Sequence, residues 1–174
     1  ELIGTFVGNS LKQVIVPEGI TYLDTAFFIN KIEKYIIKAN INEIGMSAFM
    51  NNELKEVIIP DSVEIIENTA FAGNPIEKIT IGSGVTEIKS LAFSNNGAAH
   101  ISNYRAQNFL KEVFIPNNVT NIELGVFMTA TPDVIIRTER TKEDFLTNVT
   151  AHKGSYRWYG DAQVIDCNGE KIYD

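Results

Sequence analysis

The chain has 174 residues, of which 44% are hydrophobic and 10% aromatic, which suits one continuous core and is too apolar for a disordered segment. A net charge of −7, with 22 acidic against 15 basic residues, excludes nucleic acid or an anionic membrane as the main partner, since both select clustered Lys and Arg. A single cysteine, Cys167, excludes an internal disulfide framework and a cysteine-built metal site, and no apolar run reaches the roughly 18 to 20 residues of a membrane span.

From the start of the chain, Ile3-Gly4-Thr5-Phe6 followed by Asn9 reads as the tail of a structural repeat. This predicts a chain that begins mid-repeat, with an open coil edge through which copies could self-associate, and a polypeptide that is processed or excised from something longer. Five fuller copies follow, opening at Leu11, Ile32, Leu54, Ile76 and Leu110: LKQVIV, IEKYII, LKEVII, IEKITI and LKEVFI. Spacing between the first four is about 22 residues, a period that means a solenoid.

Within each copy the opening segment alternates with period two and is rich in β-branched residues, closing on Pro17, Pro60 or Pro116, which predicts a strand of about five residues. Val14/Val16, Tyr35/Ile37, Val57/Ile59, Ile79/Ile81 and Val113/Ile115 point inward in this reading. A second apolar pair, such as Ile41/Ile44 or Val63/Ile66, predicts a short extended or turn segment on the opposite wall. A small residue and Phe come next, as in Ala48-Phe49 and Ala70-Phe71, with room for one helical turn. Asn30, Asn52, Asn74 and Asn96 lie three residues beyond each Phe. An amide has donors and an acceptor, so recurrence at one fixed offset predicts a buried ladder bonding adjacent coils.

The outward strand positions carry two kinds of column. Residues 12, 33, 55, 77 and 111 read Lys, Glu, Lys, Glu, Lys, and the next column reads Gln13, Lys34, Glu56, Lys78, Glu112. Cross-strand ion pairs there are worth about 0–1 kcal/mol each, so their main use is to penalise a slipped register. The third column, Ile15, Ile36, Ile58, Thr80, Phe114 and Ile135, is largely apolar and faces outward. It is the candidate surface for a protein partner; β-branched residues also raise strand propensity and pack across a sheet, which explains the column without a partner.

Twelve extra residues separate the fourth copy from the fifth, within 97–109 (GAAHISNYRAQNF). His100, Tyr104 and Arg105 are the residue types of a recognition loop, and a tolerated surface excursion accounts for the insertion equally well. The histidines, His100 and His152, have no i, i+4 partner, so no metal and no cofactor are expected. Gly82-Ser83-Gly84 stands where other copies carry Pro-x-x and reads as a turn rather than a phosphate loop. Val134-Ile135-Ile136 predicts a last strand before periodicity stops, Thr141-Lys142-Glu143-Asp144 a helix start, and Asn168-Gly169 a hairpin turn behind Trp158-Tyr159. The expected organisation is a solenoid over 1–137, with the insertion 97–109, and a C-terminal cap over 138–174.

The repeated L-x-x-V-x-I-P-x-x-V-x-x-I-x-x-x-A-F-x-x-N pattern, from about Leu2 to Ile136, resembles the BspA-like, or treponemal, class of leucine-rich repeats. The resemblance implies a β-rich α/β, right-handed solenoid of about five full coils, partial terminal coils and a cap, with a parallel sheet on one face. It also implies a non-catalytic, secreted or cell-surface bacterial module for adhesion and protein–protein interaction; a spacer or accessory domain of a larger secreted enzyme is the alternative. Departures from the pattern are Lys38 and Gly82 for the strand-ending proline, Val126 for alanine and Ala130 for asparagine. No catalytic residue belongs to the pattern.

Overall fold

The computed structural model describes residues 1–94, 110–128, 130, 132–151 and 157–173. Fourteen short strands and one helix succeed one another: β1 (Leu2–Ile3), β2 (Gln13–Val16), β3 (Leu23–Asp24), β4 (Lys34–Ile37), β5 (Glu43–Ile44), β6 (Glu56–Ile58) and β7 (Ile65–Ile66) come first. They continue as β8 (Lys78–Thr80), β9 (Glu87–Ile88), β10 (Glu112–Ile115), β11 (Asn121–Ile122), β12 (Ile135–Thr138), α1 (Lys142–Asn148), β13 (Thr150–Ala151) and β14 (Gln163–Ile165). Even- and odd-numbered strands form different walls. One wall is a seven-stranded sheet in the order β1-β3-β5-β7-β9-β11-β13; the other divides into β14-β12-β10-β8-β6 and a separate β2-β4 pair. Every paired strand is parallel, as a coil that always returns to the same wall requires.

The structure is thus the expected β-rich solenoid, with parallel strands on two walls rather than one. Its third side is not a helical turn. Thr25, Ser47, Thr69 and Leu91 adopt left-handed backbone at φ 51°, 51°, 55° and 61°, and Gly125 at 61° holds the equivalent place in the fifth coil. The turn following each of these residues aligns its N–H groups with the next coil, so Phe27 donates to Ala48, Phe49 to Ala70 and Phe71 to Ala92 at 2.8–3.0 Å. Backbone bonding between coils therefore runs down all three sides, and a non-glycine residue at positive φ is held there by its neighbours above and below.

Side chains complete the stack. Phe6, Phe27, Phe49, Phe71, Phe93 and Phe127 form a spine of rings with centroids 5.2–5.7 Å apart, ending on the buried Trp158. The asparagine ladder is present at Asn30, Asn52 and Asn74. The Asn52 amide donates to the carbonyls of Phe27 and Phe49 at 2.9 and 3.0 Å and accepts from the Ile32 N–H at 3.1 Å. Asn74 repeats the pattern one coil on, with Phe49, Phe71 and the Leu54 N–H. Asn96 and the insertion 97–109 lie outside the described residues. Gly82-Ser83-Gly84 forms a turn lying flush on the coil below: Ser83 donates to Asp61, and a Cβ at Gly84 would stand 2.1 Å from the Asp61 carbonyl oxygen.

Past Ile136 the sequence loses its period but the backbone does not. α1 starts where Thr141 caps the Asp144 N–H, β13 joins the seven-stranded wall, Trp158 accepts from the Phe127 N–H, and β14 pairs with β12. Asp166 holds this segment together by accepting from the backbone N–H groups of Lys142, Asn168 and Glu170 at 2.8–3.0 Å. An antiparallel bridge joins Ile165 to Lys171.

Candidate functional site

The wall built from the even-numbered strands carries the outward column. Register pairs Ile15 with Ile36, Ile58 with Thr80, and Phe114 with Arg137. Ile15, Ile36, Ile58 and Phe114 are 59%, 54%, 55% and 44% exposed, so these large apolar side chains are presented to solvent rather than folded onto a neighbour. Ile135 does not belong to the column. It pairs with Glu112, one alternation earlier on the strand, and the place beside Phe114 is taken by Arg137, whose guanidinium bonds Glu112. The displacement follows from β12 beginning at Ile135, so its pleat runs Ile135 out, Ile136 in, Arg137 out. His100, Tyr104 and Arg105 lie outside the described residues.

The charged columns pair between β6 and β8 and beside β10. Lys55 meets Glu77 at 3.6 Å and Lys78 meets Glu56 at 3.0 Å across β6 and β8, and Lys111 meets Asp133 at 3.2 Å. β4 and β6 do not pair, and the expected Glu33–Lys55 and Lys34–Glu56 ion pairs are absent among the described residues. A groove of about 1090 Å³ opens here, reaching from Gln13, Val14 and Ile15 on β2 across β4 to β6. Ile36, Ile58, Pro75 and the Tyr35 side chain line it, and Glu33, Lys34, Lys55 and Glu56 stand at its rim.

Tyr35 is the cause. At the same inward position the other coils place Val14, Val57, Ile79 and Val113, all small enough for parallel strands to close to about 4.8 Å. The Tyr35 ring, which sits opposite Val14 in ordinary parallel register on the β2 side, extends on the other side from β4 toward β6. It packs on Phe49 and Phe71, with centroids 4.8 and 6.0 Å away, and its hydroxyl occupies the line of the missing ladder. That hydroxyl donates to the Ile58 carbonyl at 2.8 Å and accepts from the Ile58 N–H at 3.0 Å. Burial pushes the Tyr35 hydroxyl far above its ordinary value, so it remains a neutral donor and acceptor across the physiological range. Sequence reading grouped Tyr35 with the aliphatic core; its being the sole aromatic in that column was the available signal.

The opposite wall is acidic. Asp24, Glu43 and Glu67 lie near one another; burial, then the Glu67 charge, raise Glu43, and burial, then Asp24, push the Tyr22 hydroxyl up to about 12. Among the described residues no three His, Cys, Asp or Glu side chains are placed to share a metal ion, and no helix is long and apolar enough to cross a membrane.

Residues 3–100 match the family described as BspA type leucine rich repeat region, in six copies. A leucine rich cell surface protein from Faecalibacterium prausnitzii, known from a crystal structure, is 16% identical and superposes with a TM-score of 0.47. The superposition covers 90% of this chain and 59% of that one. No curated protein matches.

Proposed function

The chain belongs to the BspA-type leucine-rich-repeat family, and from that premise we propose that it is a non-catalytic adhesion module of a secreted or cell-surface bacterial protein, binding a surface or matrix protein through the wall of even-numbered strands. Residues 138–174 close the stack in this reading. The observation that carries the proposal is the row of half-exposed Ile15, Ile36, Ile58 and Phe114 along the wall of even-numbered strands. Isolated apolar side chains on a surface are ordinary, whereas a row recurring on successive coils and flanked by charges has the anatomy of an interface, apolar at its centre and polar at its rim. Leucine-rich repeats are interaction scaffolds, because stacking identical coils builds an extended surface and no obligatory chemistry.

The test is binding of purified wild-type protein and of single Ile36→Glu, Ile58→Glu and Phe114→Glu variants to a panel of immobilised matrix glycoproteins. Each substitution replaces a solvent-facing side chain, so circular dichroism and the thermal midpoint should stay close to wild type. Loss of binding by folded variants supports the reading; undiminished binding by all three refutes it.

A further inference from the structure

The split between β4 and β6 is confined to one wall. In the same two coils β5 pairs with β7, Phe49 donates to the Ala70 carbonyl, and Asn52 and Asn74 join successive coils without a gap. The coils are therefore stacked normally, and only the even-strand ladder is opened. An opened ladder leaves strand edges facing one another across apolar space, and edges of that kind take up extended polypeptide through main-chain hydrogen bonds.

Three features define the occupant. The Ile58 N–H and C=O, which a paired strand would satisfy, are held by a single side-chain hydroxyl, a partner that another backbone can replace. In the neighbouring pair the equivalent carbonyl, that of Thr80, takes the Ile59 N–H at 2.9 Å. Along the groove, Lys34 stands opposite the uncharged Gln13 and forms no ion pair among the described residues, whereas Lys55 and Glu56 pair with Glu77 and Lys78 on the far side. Lys34 and Ile36 both point outward two residues apart, with the Tyr35 ring below them.

We propose that the gap between β4 and β6 is a slot for an extended strand of the protein partner, one that reads acidic, small, apolar in succession. The acidic residue meets Lys34, the small one passes over Tyr35, and the apolar one joins Ile36 and Ile58. This rests on the docking role proposed for the same wall and narrows it to one chemistry of partner.

The probe is a blocked, fluorescent heptapeptide, Thr-Thr-Glu-Ala-Ile-Thr-Thr, titrated into the whole chain by fluorescence polarisation, alongside a copy N-methylated at alternate residues. Wild type and Tyr35→Phe should bind the plain peptide, with the Ile58 amide gaining hydrogen-exchange protection. N-methylation should weaken binding by at least about tenfold, because it removes main-chain donors. Tyr35→Val lets β4 and β6 close as Val57 and Ile79 do, and should lose binding while remaining folded by circular dichroism. Three results overturn the slot: no binding by wild type and Tyr35→Phe, equal binding of the N-methylated peptide, or undiminished binding by a folded Tyr35→Val variant. Self-association of wild type in analytical ultracentrifugation that Tyr35→Val abolishes would assign the slot to a second copy and also overturn the proposal. If matrix-protein binding survives Tyr35→Val and is lost in Phe114→Glu, the docking wall stands and the slot fails.

Discussion

Replacing Asn52 tests whether the asparagine ladder holds the coils together. The side chain is 6% exposed and bonds four backbone groups, the carbonyls of Phe27, Phe49 and Met50 and the N–H of Ile32. Asn52→Ala leaves the buried Ile32 N–H without its partner, while the carbonyls of Phe27 and Phe49 each lose one donor and keep the amides of Asn30 and Asn74. A buried unsatisfied group costs about 1–3 kcal/mol, and with one such group the expected loss is about 1–3 kcal/mol, a sizeable share of a typical domain's stability. Asn52→Asp separates hydrogen bonding from volume. Its carboxylate still accepts from Ile32 but turns a negative oxygen toward those carbonyls, so at neutral pH it should be less stable than Asn52→Ala. That geometry raises the folded pKa above the unfolded value of about 3.9. Protons bind more readily to the folded form, so this variant should gain stability relative to wild type as pH falls from 7 toward 4.5 and lose it as pH rises. Urea denaturation followed by circular dichroism at both pH values reads out each effect. A loss below about 1 kcal/mol for Asn52→Ala, or no pH-dependent difference between Asn52→Asp and wild type, would refute the reasoning.

Phe71 lies fully buried between Phe49 and Phe93, and Phe71→Ala should cost about 3–5 kcal/mol, seen as a lowered thermal midpoint; Phe6→Ala, at a ring already 38% exposed, should cost markedly less. Glu43 is raised by burial and by Glu67. Its contribution is therefore fully present below the unfolded carboxyl value and is lost as pH rises through the folded one, so Glu43→Gln should raise the thermal midpoint at pH 7 and make little difference near pH 4. Equal midpoint shifts at the two pH values would count against that assignment.

The columns of Phe, Asn and inward Val/Ile were legible because each recurs at a fixed offset, and a solenoid turns fixed offset into spatial adjacency. What escaped reading lacks a side-chain signature. β13 and β14 continue both walls, yet the residues around them share no consensus with earlier coils, since parallel pairing is a backbone property that many apolar sequences satisfy. The left-handed turns at Thr25, Ser47, Thr69 and Leu91 carry no glycine to announce them. Ile135 was placed by hydrophobicity in a column that strand register gives to Arg137. The groove escaped because Tyr35 obeys the inward, apolar rule while carrying a hydroxyl that reaches the backbone of the next coil.

A stack whose coils touch only their neighbours behaves as a chain of links, and its cooperativity is interrupted at the weakest one. Between the second and third coils one of three backbone ladders is replaced by a single phenol hydroxyl. Under tension or heat the molecule has a seam at that level, where the first two coils can part from the rest as one block. Anything that bridges β4 and β6 would stitch the seam, so that occupancy of the sheet and mechanical strength of the whole rod would rise together.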